Sequence, residues 1–152
     1  MIAYRGDVLY TSTSERFTVL EDGYVIVGDD GNVVDAVGSL TGDYADIAVV
    51  DRRGCLIIPG FNDLHVHAPQ YPLAGLGFDC ELLPWLERYT FPAEATYSDP
   101  EVADYWYKRF VRTMWKVGTL RFSAFATLHN DATLHLMELC QESGLKPMVK
   151  GQ

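Results

Sequence analysis

A chain of 152 residues, 48% hydrophobic and 22% charged, is ordinary for a soluble globular protein, can bury a sizeable core, and by length alone suggests one domain. A net charge of −9 without any run of Lys or Arg argues against a nucleic-acid backbone or an anionic membrane as partner, and leaves a small polar ligand open. Cys55, Cys80 and Cys140 are too few and too scattered for a disulfide framework or a Cys-x-x-Cys zinc site, so reduced thiols in a cytoplasmic protein are expected. Met1 to Asp7 lacks a signal-peptide core, and no apolar run approaches the length of a membrane span.

Residues 1 to 58 read as a small β-rich domain, a sheet or half-sandwich. Val8-Leu9-Tyr10-Thr11, Phe17-Thr18-Val19-Leu20 and Tyr24-Val25-Ile26-Val27 are short β-branched and aromatic runs, parted by turns such as Glu21-Asp22-Gly23. Asp29-Asp30-Gly31-Asn32 is a hairpin signal leading into Val33 to Val37. Ile47 to Val50 and Leu56 to Ile58 complete the set. Nothing in this part reads as catalytic.

Residues 59 to 152 form the second expected domain. Phe61 to His67 is a strand, followed by a long connection from Ala68 to Tyr97. Such connections are often functional lids or binding loops. Within it, Glu81 to Tyr89 predicts a short helix with Pro84 in its first turn. Ser98 with Glu101, or Asp99 with Pro100, starts a helix whose apolar face is Val102, Trp106, Phe110, Met114 and Val117, and Gly118 stops it. Thr119 to Ala126 is a strand. Asn130 or Asp131 caps a second helix in which Leu136, Leu139 and Cys140 share a face, ending at Gly144. Lys146 to Lys150 begins a third strand. This alternation predicts successive βα units of a parallel sheet, leaving barrel or open sheet undecided.

The chemistry concentrates at His65 and His67. In a strand, residues i and i+2 project to one side, so both imidazoles face one way, with Asp63 on that side as well. At the end of the first strand of a parallel unit, directly before a long loop, such a pair is half of a metal site. One solvated and one hydrogen-bonded histidine is the plainer alternative. Two imidazoles suit zinc, iron or manganese. His129 follows the second strand at the same end of the sheet, where a polar loop role competes with an approach to the site. His135 is read as exposed in mid-helix. Nucleophile elbows, phosphate-binding glycine loops, dinucleotide fingerprints and the His-x-Glu with Pro-Cys-x-x-Cys signature of cytidine-deaminase-type zinc enzymes are all missing.

Pro59-Gly60-Phe61-Asn62-Asp63-Leu64-His65-Val66-His67 resembles the first-strand signature of the amidohydrolase superfamily. His67-Ala68-Pro69-Gln70-Tyr71, Leu83-Pro84-Trp85-Leu86, Tyr89-Thr90-Phe91-Pro92-Ala93-Glu94, Gly118-Thr119 and Phe125-Ala126-Thr127-Leu128-His129 resemble, in order and spacing, the N-terminal portion of the guanine deaminase family within it. The resemblance implies a (β/α)8 TIM barrel whose catalytic metal, usually zinc, activates water to replace the 2-amino group of guanine, giving xanthine and ammonia. It makes His65 and His67 metal ligands, and Gln70 and Trp85 substrate-binding residues. A carboxamide at Gln70 offers both a donor and an acceptor to a purine edge, where an ordinary polar loop residue is the alternative. Trp85 packs near the base or serves as a structural aromatic.

A full barrel of this kind takes about 250 residues. The residues after Pro59 suffice for two βα units and a third strand. The family's later ligands, histidines on the fifth and sixth strands and an aspartate on the eighth, have no counterpart, nor does its proton-shuttle segment. The expectation is therefore an incomplete barrel, inactive alone and completed by a C-terminal part or a second chain, with a homodimer also compatible. Another amidohydrolase acting on an aminated heterocycle, and a non-catalytic fragment that binds a partner chain, stand as the other readings.

Overall fold

Four strands build the first of the two units into which the chain divides in the computed structural model, which describes residues 1–151. They are β1 (Ile2–Thr13), β2 (Arg16–Val27), β3 (Val33–Val37) and β4 (Ala48–Ile57), in the sheet order β3-β2-β1-β4. β1 pairs antiparallel with β2 and parallel with β4. Ala3 sits opposite Ile26, and both are fully buried. The Asp29–Asn32 hairpin joins β2 to β3 as expected, with Gly31 at φ 78° and Asn32 N donating to Asp30 Oδ1 at 3.0 Å.

Two expected breaks are absent. Glu21-Asp22-Gly23 is no turn, since β2 runs straight through it. The register with β1 shifts there, and Asp22 takes a φ of 50°. Its carboxylate accepts two bonds from the Arg5 guanidinium, at 2.8 and 2.6 Å, while its N–H donates to Asp7 Oδ1 at 2.9 Å. Polar groups that read locally as a turn are thus satisfied by a neighbouring strand, and the result is a bulge. In the same way Ile47 to Val50 and Leu56 to Ile58 merge into the single irregular strand β4, with Gly54 at φ 82° taking up the extra residues.

The second unit, Met1–Pro59 being the first, starts at Gly60 and carries β5 (Phe61–His67), β6 (Thr119–Phe125) and β7 (Met148–Lys150), all parallel, in the order β5-β6-β7. The connection after β5 is mostly wound rather than loose: a 3-10 turn at Ala68–Leu73, α1 (Leu82–Trp85), a π turn at Leu86–Thr90, α2 (Phe91–Ala95) and a further 3-10 turn at Thr96–Ser98. Then come α3 (Pro100–Lys116) between β5 and β6, and α4 (Asn130–Ser143) between β6 and β7. Strand, helix, strand, helix, strand is the expected order.

Of the two ways to start α3, the structure uses Asp99, whose side chain accepts from Glu101 N at 2.8 Å, with Pro100 at the first helical position. The buried face of α3 is Ala103, Tyr107, Phe110, Val111 and Met114, rotated from the expected stripe so that Val117 is exposed and Trp106 is half-buried. These side chains pack with Phe122 and Ala124 of β6 and with Ala132, Leu136 and Cys140 of α4 into one core. α4 closes at Gly144 in the left-handed region, φ 81°. Its N-cap is His129, one residue before the expected pair, and makes no side-chain cap bond; Thr127 Oγ1 takes the His129 N–H at 2.9 Å instead.

Candidate functional site

The parallel ladder of β5 and β6 sets His67 directly beside Phe125. Their rings stack, 5.0 Å between centroids at 18°. His65 approaches the same phenyl ring at 5.0 Å, tilted by 52°. Held against this one surface, the two imidazoles converge until their Nε2 atoms stand 3.1 Å apart. Asp63 does not join them as a third donor, because its carboxylate folds back to accept the His65 N–H at 3.0 Å. The ladder is irregular between Asp63 and Val66, which leaves Leu64 and His65 exposed while His67 is half-buried.

Two Nε2 lone pairs cannot face each other at this distance without something between them. Either one ring carries a proton there or a cation accepts from both. Nitrogens bound at about 2.05 Å to one tetrahedral zinc stand roughly 3.3 Å apart, close to the observed spacing. Burial first, and the neighbouring His65 second, hold His67 below the usual histidine range, which favours the neutral ring that a metal ligand requires. His67 Nδ1 is buried without a hydrogen-bond partner. The donor set fits a divalent metal as far as it goes. Among the described residues no third His, Cys, Asp or Glu joins the pair.

Gln70 and Tyr71 lie on the 3-10 turn that follows His67, and Tyr71 fastens that turn to α3 through a 2.8 Å bond between its hydroxyl and Thr113 Oγ1. His65, His67, Gln70 and Tyr71 line one groove. Gln70 also borders an adjoining groove shared with Leu76, Phe78 and Trp85. Trp85 Nε1 donates to Leu76 O at 3.1 Å, so the indole pins the loop ahead of α1. On its other side Gln70 donates from Nε2 to Glu94 Oε1 at 3.4 Å.

His129 and His135 stand apart from this cluster, in a groove with Tyr97 and Asp104 between the starts of α3 and α4. His135 is not the free exposed histidine expected: its Nε2 lies 2.9 Å from Asp104 Oδ1. Sequence reasoning passed over Phe125, which aligns both imidazoles, and Glu94, which is only 6% exposed. The signal for Phe125 was its place opposite His67 in a parallel pair. Glu94 gave none beyond its place in the Thr90 to Glu94 block.

The amidohydrolase family pattern matches residues 56–151. The chain belongs to the amidohydrolase family. It is 41% identical over 159 residues to the guanine deaminase of Homo sapiens, an alignment covering 96% of this chain and 34% of the human protein. Its fold superposes with a TM-score of 0.90, at 41% identity, on guanine deaminase from C. acetobutylicum solved with guanine bound in the active site, covering 97% of this chain and 35% of that one. Against E. coli guanine deaminase the TM-score is 0.84 at 30% identity, with coverage of 98% and 36%. The chain thus spans about a third of the length of the relatives it matches. In this amidohydrolase chain the parallel unit from β5 to β7 corresponds to the opening strands and helices of the TIM barrel.

Proposed function

We propose that this chain forms the front wall of a metal-dependent aminohydrolase site that converts guanine and water to xanthine and ammonia, active when the remaining ligands are supplied by further barrel strands, on the same polypeptide or a second chain. The observation that carries the reading is the convergence of His65 and His67 Nε2 at the strand end, in a chain similar to guanine deaminases along nearly its whole length.

His65 and His67 would hold the metal, zinc being the natural choice and iron or manganese compatible with the same imidazoles. Such a metal supplies Lewis acidity toward water. Phe125 keeps the two rings from turning away from each other. Gln70, on the wall between the histidines and Trp85, binds the purine edge through its carboxamide, and the Trp85 indole borders the space for the flat base. The site sits at the C-terminal end of β5, where barrels of this architecture place their chemistry. We assign the protein to purine metabolism in the cytoplasm, where the free thiols of Cys55, Cys80 and Cys140 stay reduced.

The test is intact mass and metal content of the native particle, followed by ammonia release from guanine. A particle holding metal and releasing ammonia, with both lost in His65→Ala and His67→Ala, is the expected result. A particle whose mass includes the completing strands or chain, yet holds no metal and leaves guanine unchanged, overturns the reading and favours a fragment whose role is to bind a partner chain.

A further inference from the structure

Glu94 is a buried carboxylate outside the metal pair. It lies on α2, only 6% exposed, and the one hydrogen bond it accepts is from Gln70 Nε2. Its surroundings are otherwise poor in donors already in use: the hydroxyls of Thr90, Tyr97 and Tyr107 are all buried without a partner. The Tyr97 and Tyr107 rings lie 4.9 Å apart between centroids, tilted by 42°, and the charge of Glu94 raises the titration of both phenols beyond what burial does. A charge placed so deep costs stability, so its retention calls for a task.

We infer that Glu94 is a positioning residue that fixes which end of the Gln70 carboxamide faces the substrate. An ionised carboxylate only accepts, so it must face the NH2 group and never the carbonyl of Gln70. The amide is planar, and turning Nε2 toward Glu94 sends Oε1 to the opposite side. Gln70 then offers the base an acceptor first, matched to an N–H of a purine edge, and the alternative orientation, which would put NH2 there, is suppressed. Without the carboxylate, both orientations become equivalent and half of the encounters meet the wrong group.

The substrate half of this inference rests on the guanine reading above; the Glu94–Gln70 half does not. Hydrogen exchange of the Gln70 side-chain amide, followed by NMR in the intact chain, tests the latter without turnover. Slow exchange in the wild type and exchange at least about tenfold faster in Glu94→Ala, with the backbone spectrum retained, is expected. Equal exchange in the two folded proteins overturns the inference. In the guanine-hydrolysing particle, Glu94→Gln should raise KM for guanine about twofold with kcat nearly unchanged, because a neutral amide accepts and donates alike and leaves only half of the Gln70 population in the competent orientation. In a Gln70→Leu background the same change should add nothing further. A KM increase of similar size in that background would mean that Glu94 acts on the pocket without Gln70, and would overturn it. Should the wild-type particle leave guanine unchanged, the functional reading fails while the exchange measurement still decides the role of Glu94.

Discussion

Burial holds the Glu94 carboxyl above its ordinary range, and the bond from Gln70 pulls it back only in part. A carboxyl raised on folding contributes stability that is complete below its unfolded pKa, about 4.3, and is lost as pH rises through the folded value. At neutral pH the wild type therefore carries a penalty that Glu94→Gln removes, while the new amide still offers Gln70 an acceptor. Thermal melts should show the variant above the wild type at pH 7, with the gap closing toward pH 4; a gap constant across that range would rule this account out. A stabilising change that also blunts substrate binding is what a functional strain predicts. The same residue marks where sequence reasoning stopped. His65 and His67 were legible because a strand's two-residue period fixes their common side whatever surrounds them. Glu94 was not, because nothing local distinguishes a solvated glutamate from one that is 6% exposed and bonded to Gln70, 24 residues earlier in the chain.

Element boundaries that depend on local chemistry were well marked. Pro100, Gly118 and Gly144 delimit α3 and end α4 because proline and left-handed glycine act on their own backbone. Asp99→Ala should cost about 1 kcal/mol of stability by freeing the Glu101 N–H, read as a lower denaturation midpoint, and an unchanged midpoint would show that the cap is idle. Phe110 and Met114 belong to both the expected and the observed buried face of α3. Ala103, Tyr107 and Val111 are buried in place of the expected Val102, Trp106 and Val117; hydropathy alone favours Trp106 and Val117 over a small residue and a tyrosine. The glycine pair ahead of α1 offers a sharper test. Gly75 and Gly77 both have positive φ, 88° and 73°, but a Cβ on Gly75 meets nothing, whereas one on Gly77 falls 2.4 Å from Trp85 Cδ1. Both alanine variants incur left-handed strain of about 1 kcal/mol. Only Gly77→Ala should also displace the indole from Leu76 O, shifting tryptophan emission to the red. Matching spectra for the two variants would refute that difference.

Across the whole molecule, an acidic charge opposes a sheet with unprotected edges. β5 and β7 each pair only with β6 among the described residues, so the outer edge of each is unpaired. Leu64, 84% exposed, stands on β5, and Phe78 is 89% exposed in the connection that follows. Leu82, Leu83 and Phe91 are exposed on the helical turns beyond it. Exposed apolar side chains and an open strand edge each favour association, the one through loss of hydrated surface and the other through backbone pairing. The net charge of −9 resists it by repulsion between copies. Repulsion is screened within about 8 Å at physiological ionic strength, whereas apolar burial is not weakened by salt. The 152-residue chain alone should therefore sediment as mixed oligomers whose weight-average mass rises with protein concentration and rises again with added salt. Leu64→Lys places a charge on the open strand and should return the distribution toward monomer without lowering the melting temperature, since Leu64 buries almost nothing in the fold. A chain that stays monomeric at high concentration and high salt would mean that these edges are guarded by their own twist and bulges, with the irregular Asp63 to Val66 segment of β5 the first place to look.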